Sequence, residues 1–417
     1  METFFKIMKK DFIHKKECRI CGSSNLVKTL DLGSMPPANS FLKKRELKKT
    51  EKKFPLVVYF CEDCKLLQLL DVVNPEILFG HYSYLTSASK PLADHFIEMG
   101  RNLAKRFIVS KNDLIIEIGG NDAVLLESIK DKCRVLNIEP AQNLAEVSRQ
   151  KGVETINDFF NKNNLADKIF EKYGSAKLII ANNVMAHIDD VKSVFAGIKT
   201  LIGDDGVFVF EAHWVGNLIG EGGFDQIYHE HLCYFSLIAI KNLVERFNFK
   251  IFDVQLVPIH GQSLRVYVGN KFKVCDSVKK FLNKEKKIGL NKAEIFLEFS
   301  ERVRKNKKKL VNLLEQLKKT KKIIGYGAPA KGNTLLNFFG INAGILDFLI
   351  DSTSLKQKTY TPGTHIPVVF PEKLKEVKPD YILLLAWNYE NVILEKEKDL
   401  RESGVKFIIP VPNVRIV

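Results

Sequence analysis

The residues with the densest chemistry stand in one tetrapeptide, Tyr228-His229-Glu230-His231. It lies shortly after the apolar run GVFVFEAH, which predicts a buried strand. An imidazole exchanges protons near neutral pH, and a phenol can donate a hydrogen bond to a developing oxyanion. The tetrapeptide therefore predicts general acid–base chemistry. A metal site is the weaker alternative, because His-x-His here lacks a clear third ligand.

A further histidine follows another predicted strand. The run AKLII leads into the segment Asn182-Asn183-Val-Met-Ala-His187. Open α/β sheets bind their ligands outside the carboxyl ends of their strands. We therefore expect Asn182, Asn183 and His187 at a ligand-binding edge.

The motif Glu117-Ile-Gly119-Gly-Asn121-Asp122 ends a hydrophobic strand and enters the segment AVLLESIK, which predicts a helix. Glycine lets a ligand approach the backbone closely, and an acid about twenty residues on, here Glu139, commonly binds ribose hydroxyls. The motif is not G-x-G-x-x-G, which argues against a dinucleotide. It predicts an S-adenosylmethionine site, with a plain strand–turn–helix connection as the alternative.

Four of the seven cysteines form two C-x-x-C pairs, Cys18/Cys21 and Cys61/Cys64. A redox site would need one pair at the start of a helix, whereas two tight turns can close a tetrahedron of thiolates around Zn²⁺. Four thiolates leave no open position for water. The pairs therefore predict a structural zinc site.

A second glycine-rich turn lies near the C-terminus, in GYGAPAKGN, and opens a predicted helix. A helix N-terminus beside a lysine is a natural phosphate site, so Lys331 and Asn333 are candidates for binding a substrate diphosphate or sugar. His365 of GTHIPV is expected near the same cleft, and Tyr82 of HYSY is a candidate for its opposite wall. A turn without a ligand, and ordinary packing for Tyr82, are the alternatives.

Short Val- and Ile-rich runs alternate with longer segments in two stretches of the chain. That alternation predicts parallel sheets covered on both faces. The predicted fold class is α/β, with a small N-terminal zinc-binding domain (1–80) and a central Rossmann-like class I methyltransferase domain (81–265). Residues 266–417 complete it with a helical connection, a Lys/Glu-rich stretch over 279–322, and a smaller Rossmann-like domain.

The chain has 417 residues and a formal charge of +15, and its 45% hydrophobic and 27% charged residues exclude wholesale disorder. No apolar run reaches the roughly 18 residues that cross a bilayer. The N-terminal METFFKIMKKDF lacks the apolar core of a secretory signal. We expect a cytoplasmic protein that contacts no membrane, with a monomer as the default.

Taken together, the motifs resemble the sugar C-methyltransferases that act at C-3 of nucleotide-linked keto-deoxysugars. The resemblance covers nearly the whole chain and runs through C-x-x-C-G, C-x-x-C, EIGGND, NNVMAH, FDQIYHEHLCYFSL, GQSLRVYV, GYGAPAKGNTLLN and YTPGTHIPV. It implies a zinc-binding domain, an S-adenosylmethionine domain and a C-terminal domain that helps to hold the sugar nucleotide.

The resemblance also implies roles for single residues. Catalytic roles fall on His187, Tyr228, Glu230 and His231. Methyl-donor contacts fall on Glu117, Gly119, Asn121 and Asp122, with Glu139 and Asn182 or Asn183 nearby. Three positions depart from the family pattern, because Ala123 and Gln262 stand where glycine is usual and Cys233 where a polar residue is usual.

The residues support a reaction of this kind on chemical grounds. A C–H bond beside a ketone is acidic enough for a positioned base, and the resulting enolate carbon is a nucleophile for the sulfonium methyl group. We expect His231 to act as the base, Tyr228 and His187 to stabilise the enolate oxygen, and Glu230 to orient the cluster.

Three other classes of protein are weaker predictions. An O- or N-methyltransferase would keep the donor site but has less need of the acid–base cluster. A zinc-ribbon nucleic-acid-binding protein would explain the charge, but we expect no nucleic-acid partner because the chain lacks an aromatic–basic ladder. An NAD-dependent keto-sugar reductase lacks a credible G-x-G-x-x-G with a Tyr-x-x-x-Lys pair.

Overall fold

The N-terminal part of the chain forms antiparallel sheets, and its strand β3 alternates buried and half-buried residues along most of its length. A computed structural model describes residues 11–79, 85–160, 164–259 and 261–417. The elements of this part are β1 Phe12–His14, β2 Leu26–Met35, β3 Phe54–Cys61, β4 Leu67–Leu69, β5 Asp71–Val73, helix α1 Pro75–Phe79 and a 3-10 turn at Lys44–Glu46. Strand β1 pairs with β5, while β2, β3 and β4 form a second antiparallel sheet.

The middle of the chain forms a seven-stranded, mostly parallel sheet. Its strands are β6 Leu114–Ile118, β7 Arg134–Ile138, β8 Thr155–Ile156, β9 Ala176–Asn182, β10 Ile202–His213, β12 Ile251–Val257 and β13 Ser263–Val268. The short strand β11 Cys233–Tyr234 also belongs to this part of the chain. Its helices are α2 Lys90–Phe107, α3 Val124–Glu127, α4 Gln142–Gln150, α5 Leu165–Tyr173, α6 Val191–Leu201, α7 Val215–Gly220 and α8 Leu237–Glu245. Short 3-10 turns lie at Thr86–Ala88, Met185–His187 and Phe224–Gln226.

The strand order of this sheet is β12-β13-β10-β9-β6-β7-β8. The five strands from β10 to β8 are parallel, and β13 runs antiparallel to both of its neighbours. Every residue of β6 is buried, as expected for a parallel strand with both faces covered. Strand β11 lies outside this sheet and pairs with β4 of the N-terminal part.

The C-terminal part forms a second seven-stranded sheet, in the order β16-β17-β15-β14-β18-β19-β20. Its strands are β14 Ile323–Tyr326, β15 Leu349–Ile350, β16 Thr359–Tyr360, β17 Pro367–Val369, β18 Tyr381–Leu384, β19 Lys406–Ile409 and β20 Arg415–Ile416. The helices are α9 Asp276–Ile288, α10 Glu294–Lys318, α11 Ala330–Phe339, α12 Lys373–Val377, α13 Glu390–Lys396 and α14 Lys398–Glu402, with a 3-10 turn at Trp387–Tyr389. The α/β class with a Rossmann-like second sheet is thus confirmed.

The Lys/Glu-rich stretch is two helices rather than one continuous segment. Gly289, with φ of 92°, ends α9 in the left-handed conformation that glycine adopts most readily. The second helix, α10, contacts all three parts of the chain. Its Phe296 ring lies 4.9 Å from that of Phe60, Arg302 donates to the Ile219 carbonyl, and Asn306 donates to the Pro410 carbonyl. Among the helices described, none is long and apolar enough to span a membrane.

Candidate active site

The carboxyl ends of β6, β7 and β9 lie side by side, with Glu117 in register with Asn137 and Ile180. The turn after β6 is tight, since Gly119 has φ of 66° and donates its N–H to the carbonyl of Ile138 at 2.7 Å. A side chain at Gly119 would place a Cβ 2.5 Å from Val184. Glycine is therefore required for the turn to lie against the segment that leads to His187.

The acid at the end of β7 anchors this turn. Glu139 accepts hydrogen bonds from the backbone N–H groups of Asn121 and Ala141, both at 2.9 Å. Asp122 is fully buried and accepts from Lys151 Nζ at 3.0 Å, while the Asn121 side chain accepts from the N–H of Thr86. The predicted donor residues are thus brought together, but the Asp122 carboxylate is engaged by a lysine.

Two polar side chains beside the turn have buried atoms with no hydrogen-bond partner in the described part of the chain. These atoms are Oε2 of Glu117 and both polar atoms of Asn182. Burial raises the pKa of Glu117 to about 8. Buried polar groups are normally satisfied, so unsatisfied ones at a strand edge fit a polar ligand such as S-adenosylmethionine. Asn183 stands next in the chain, with φ of 56° and its N–H donating to the carbonyl of Glu211.

Three of the predicted catalytic rings form one cluster. The rings of Tyr228 and His231 have centroids 4.0 Å apart, and those of His187 and His231 are 5.0 Å apart. His187 lies in the 3-10 turn that follows β9, so the cluster stands at the same sheet edge as Asn182. The tertiary structure thus joins residues about forty positions apart in the chain.

Backbone carbonyls fix the protons of both histidines. His231 Nδ1 lies 2.9 Å from the carbonyl oxygen of Gln226, and His187 Nδ1 lies 2.8 Å from that of Glu230. A carbonyl can only accept, so Nδ1 carries the proton in each ring and Nε2 becomes the basic nitrogen. Burial lowers the pKa of His187, which favours its neutral form.

The other two members of the tetrapeptide face the N-terminal part. Glu230 is 6% exposed and accepts from Asn39 Nδ2 at 2.7 Å. Burial raises the pKa of Glu230 to about 7, and the bond from Asn39 opposes that rise. His229 is buried, with Nε2 3.1 Å from the carbonyl of Phe54. Burial lowers the pKa of His229, so it packs as a neutral ring.

The four predicted zinc ligands converge. All four sulfurs of Cys18, Cys21, Cys61 and Cys64 lie within 4.8 Å of one another. The Cys18–Cys64 and Cys21–Cys61 sulfurs are 3.4 and 3.5 Å apart. Zn–S bonds of about 2.3 Å place tetrahedral sulfurs about 3.8 Å apart, so the set fits zinc. Neighbouring Cys18 and Cys61 and burial raise the pKa of Cys64, so four ionised sulfurs require a cation.

The predicted substrate residues of the C-terminal part are dispersed. Lys331 Nζ lies 3.8 Å from the centroid of the Trp387 ring, and Trp387 Nε1 donates to Asp225 at 2.7 Å. Burial lowers the pKa of Lys331 to about 8, while nearby Asp225 opposes that shift. Lys331 therefore faces the FDQIYHEH segment.

Asn333 and His365 instead contact the N-terminal part. Asn333 is buried and donates to the Ala38 carbonyl at 2.7 Å, one residue before Asn39. His365 Nε2 lies 2.6 Å from Glu51. Tyr82, the remaining candidate, lies outside the described residues.

Several residues at the site escaped the sequence analysis. Asn39 contacts Glu230, Asp225 faces Lys331, and Arg19 and Asp189 link the first C-x-x-C turn to the His187 segment. Only for Asp225 was there a signal, its position in the recognised FDQIYHEH segment. The other contacts join segments that no spacing rule relates.

Family models and one curated relative match the chain. Residues 18–79 match the model described as "Putative zinc binding domain", 95–254 match "Methyltransferase domain", and 258–412 match "C-methyltransferase C-terminal domain". The C-methyltransferase NovU of Streptomyces niveus is 35% identical over 408 residues, which is 96% of each chain.

Solved structures of methyltransferases resemble the chain more remotely. A chain from the complex of the Haloferax volcanii Trm112 methyltransferase activator with a methyltransferase has a TM-score of 0.37 at 10% identity, covering 44% of this chain and 93% of its own. Magnesium protoporphyrin IX methyltransferase from Synechocystis has a TM-score of 0.32 at 9% identity, covering 42% and 78%.

The parallel sheet and the four-sulfur cluster, together with the matched methyltransferase and zinc-binding models, define an S-adenosylmethionine-dependent methyltransferase with a structural zinc site. The match over nearly the full length is more specific. The chain belongs to the C-methyltransferase family and is an S-adenosylmethionine-dependent C-methyltransferase.

Proposed function

We propose that this enzyme methylates the carbon α to the ketone of a nucleotide-linked keto-sugar through an enolate. The cluster of Tyr228, His187 and His231 beside the donor-binding turn is the observation that carries the proposal. A carbon nucleophile must first lose a proton, and the cluster offers a basic nitrogen next to a phenolic donor. We also propose that the chain has three domains, 1–80, 81–265 and 266–417. The bounds of the three matched family models support this division.

We assign the base to His231. Its Nδ1 proton is held by the Gln226 carbonyl, so Nε2 is the nitrogen that would accept the α-hydrogen. As His231 takes the proton, the electron pair of the C–H bond forms the C=C bond of the enolate and the π pair of the ketone moves to its oxygen. The Tyr228 hydroxyl donates a hydrogen bond to that oxygen. The enolate carbon then takes the methyl group, and S-adenosylhomocysteine is the leaving group.

The role of His187 in stabilising the enolate depends on its protonation. With its proton on Nδ1, it donates to the enolate oxygen only after gaining a second proton at Nε2. Glu230 orients the cluster, because its backbone carbonyl holds the His187 ring while its side chain is held by Asn39.

The donor site aligns the methyl group with the enolate carbon. S-adenosylmethionine, when bound, supplies an electrophilic methyl group on a sulfonium. Glu117 and Asn182 offer buried acceptors and donors for it, the turn at Gly119 admits it, and Glu139 keeps the turn in place. Alignment at close range supplies much of the rate enhancement, so no metal or protein nucleophile is required.

The test of the base separates proton removal from methyl transfer. His231→Ala should abolish exchange of the substrate's α-hydrogen with solvent while S-adenosylmethionine still binds. His14→Ala, which removes a histidine paired with Asp71 in the N-terminal part, is the matched control and should keep exchange. Exchange that persists in His231→Ala excludes His231 as the base.

The acceptor is identified by a direct assay. We expect labelled S-adenosylmethionine to transfer its methyl group to one of a panel of TDP-, GDP- and CDP-keto-sugars, with NMR placing it on carbon. A methyl group on oxygen or nitrogen would support an O- or N-methyltransferase instead.

We further propose that Lys331 binds the diphosphate or the sugar of this substrate. It lies in the first turn of α11, and its Nζ has no hydrogen-bond partner within the described residues. Lys331→Ala should weaken the affinity for the sugar nucleotide, as measured by calorimetry, whereas Lys375→Ala on the exposed surface of α12 should not. Unchanged affinity in Lys331→Ala contradicts the assignment.

A further inference from the structure

Arg19 connects the zinc site to the neighbouring strand β4. It stands between the ligands Cys18 and Cys21, and its side chain is 0% exposed. Its backbone N–H and its Nε both donate to Gln68 Oε1, at 3.2 and 3.3 Å, and a terminal nitrogen donates to the Leu69 carbonyl. The guanidinium is therefore held rigidly by β4.

The same guanidinium reaches the segment that carries His187. Arg19 lies 3.6 Å from Oδ1 of Asp189, two residues after His187, and Lys15 Nζ lies 2.7 Å from the same oxygen. A fully buried guanidinium needs a counter-charge, because an unpaired buried charge costs several kcal/mol. Asp189 supplies that charge and is thereby drawn towards the zinc-binding turn.

A backbone relay ties the His231 segment to the same strand. The N–H of Leu69 donates to the Leu232 carbonyl at 3.0 Å, and the N–H of Leu232 donates to the Ala186 carbonyl at 2.7 Å. Cys233 then pairs with Gln68 in the β4–β11 ladder. Residues next to His231 and next to His187 are thus both fixed to β4, which Arg19 holds.

We infer that Arg19 is a positioning residue, which through its ion pair with Asp189 sets the place of His187 relative to His231. The zinc-binding turn then determines the geometry of the catalytic rings as well as the stability of its own sheet. The inference rests on the proposed roles of the two histidines. It does not require Arg19 to touch the substrate.

The experiment compares Arg19→Met and Asp189→Asn with the parent enzyme. We expect kcat to fall about tenfold in each, because a shift of a catalytic group by a fraction of an ångström is costly. KM, zinc content and affinity for S-adenosylmethionine should stay unchanged. The double variant should lose no more than Asp189→Asn alone, since that change already removes the partner of Arg19 as well as that of Lys15. Arg19→Lys keeps the charge and should recover part of the loss.

A control and a substrate-free measurement complete the test. Lys28→Ala breaks an exposed ion pair with Asp31 in the same part of the chain and should leave kcat unchanged. In protein labelled with ¹³C at histidine Cε1, Arg19→Met and Asp189→Asn should move the His187 resonance but not that of His95.

The outcomes separate this inference from the proposed function. Parent-like kcat together with an unmoved His187 resonance in Asp189→Asn overturns the positioning role, even if Arg19→Met fails to fold. Equal losses of kcat and donor affinity would also overturn it. If the parent enzyme methylates no keto-sugar, the proposed function fails, while the His187 resonance still decides the positioning role.

Discussion

Burial is the main cause of the pKa shifts of Glu117, Glu230 and His187. It raises the pKa of Glu117 to about 8 and of Glu230 to about 7, and it lowers that of His187. Each shift favours the neutral form, because a low-dielectric surrounding penalises charge.

Glu117 should therefore give the protein a measurable pH dependence of stability. Its folded-state pKa is raised from 4.5 to about 8, so its stabilising contribution is complete below pH 4.5 and is lost as the pH rises through 8. Glu117→Gln removes this loss. In urea unfolding of donor-free protein, we expect the variant to gain stability over the parent between pH 5 and 8.

The exposed residue Glu146 of α4 gives the matched control. Glu146→Gln should leave the pH dependence of the unfolding free energy as it is in the parent. If Glu117→Gln and the parent show parallel curves, Glu117 does not titrate with the raised pKa.

Among the secondary-structure elements, the buried carboxylate of Glu285 joins α9 to α8. No motif in the sequence predicts this contact. Glu285 of α9 is 0% exposed and accepts from the N–H groups of Leu237 and Ile238 at 2.7 and 2.8 Å. It also accepts from Trp214 Nε1 at 2.8 Å. These N–H groups lie at the start of α8 and have no partner within that helix. Glu285 therefore fixes the start of α8, the helix that follows β11.

Glu285→Ala should destabilise the fold by about 3 kcal/mol, because two buried donors and one half-buried donor lose their acceptor. The free energy of unfolding in urea measures the loss. Lys280→Ala, an exposed change on the same helix, should cost far less and controls for helix propensity. Equal losses in the two variants would show that Glu285 does not cap α8.

Across the whole molecule, the N-terminal part is built into the site rather than attached beside it. Its sheet takes β11 from the middle of the chain, Asn39 contacts Glu230, and Asn333 contacts Ala38. Much of the net charge of +15 lies away from this site, on the surface of two helices. Residues 279–322 contain 16 Lys and Arg against 5 Asp and Glu, and most of these basic side chains are exposed on α9 and α10.

Removal of zinc should consequently destabilise more than the four-cysteine turns. Structural zinc sites contribute on the order of 10 kcal/mol to folding, and the sheet beside this one includes β11, which begins two residues after His231. In calorimetry, we expect a chelator to lower the unfolding temperature and to split a single transition into two. Cys275→Ser, at an exposed cysteine outside the cluster, should change neither. An unaltered transition in verified zinc-free protein would contradict this coupling.

At two positions where the resembled family usually has glycine, this chain has Ala123 and Gln262. The backbone conformation at both explains the usual glycine. Ala123 has φ of 58° and Gln262 has φ of 82°, both in the left-handed region that glycine prefers. The sequence analysis treated 279–322 as one stretch, whereas the structure divides it at Gly289 into α9 and α10. Tyr82 and the assigned chemical roles stay predictions.

The parallel sheets, the zinc ligands and the glycine turn after β6 could be predicted from the sequence, because each depends on local spacing. Buried strands read as apolar runs, C-x-x-C holds two sulfurs within reach of one ion, and an acid after the second strand reaches the first turn. The contact between the rings of His187 and His231 is visible only in the tertiary structure. The same holds for the contacts of Arg19 with Asp189, of Asn39 with Glu230 and of Glu285 with the start of α8. Those contacts join segments up to about 190 residues apart. Such contacts form because the folded core brings distant polar groups together, and the spacing of residues along the chain does not predict which groups will meet.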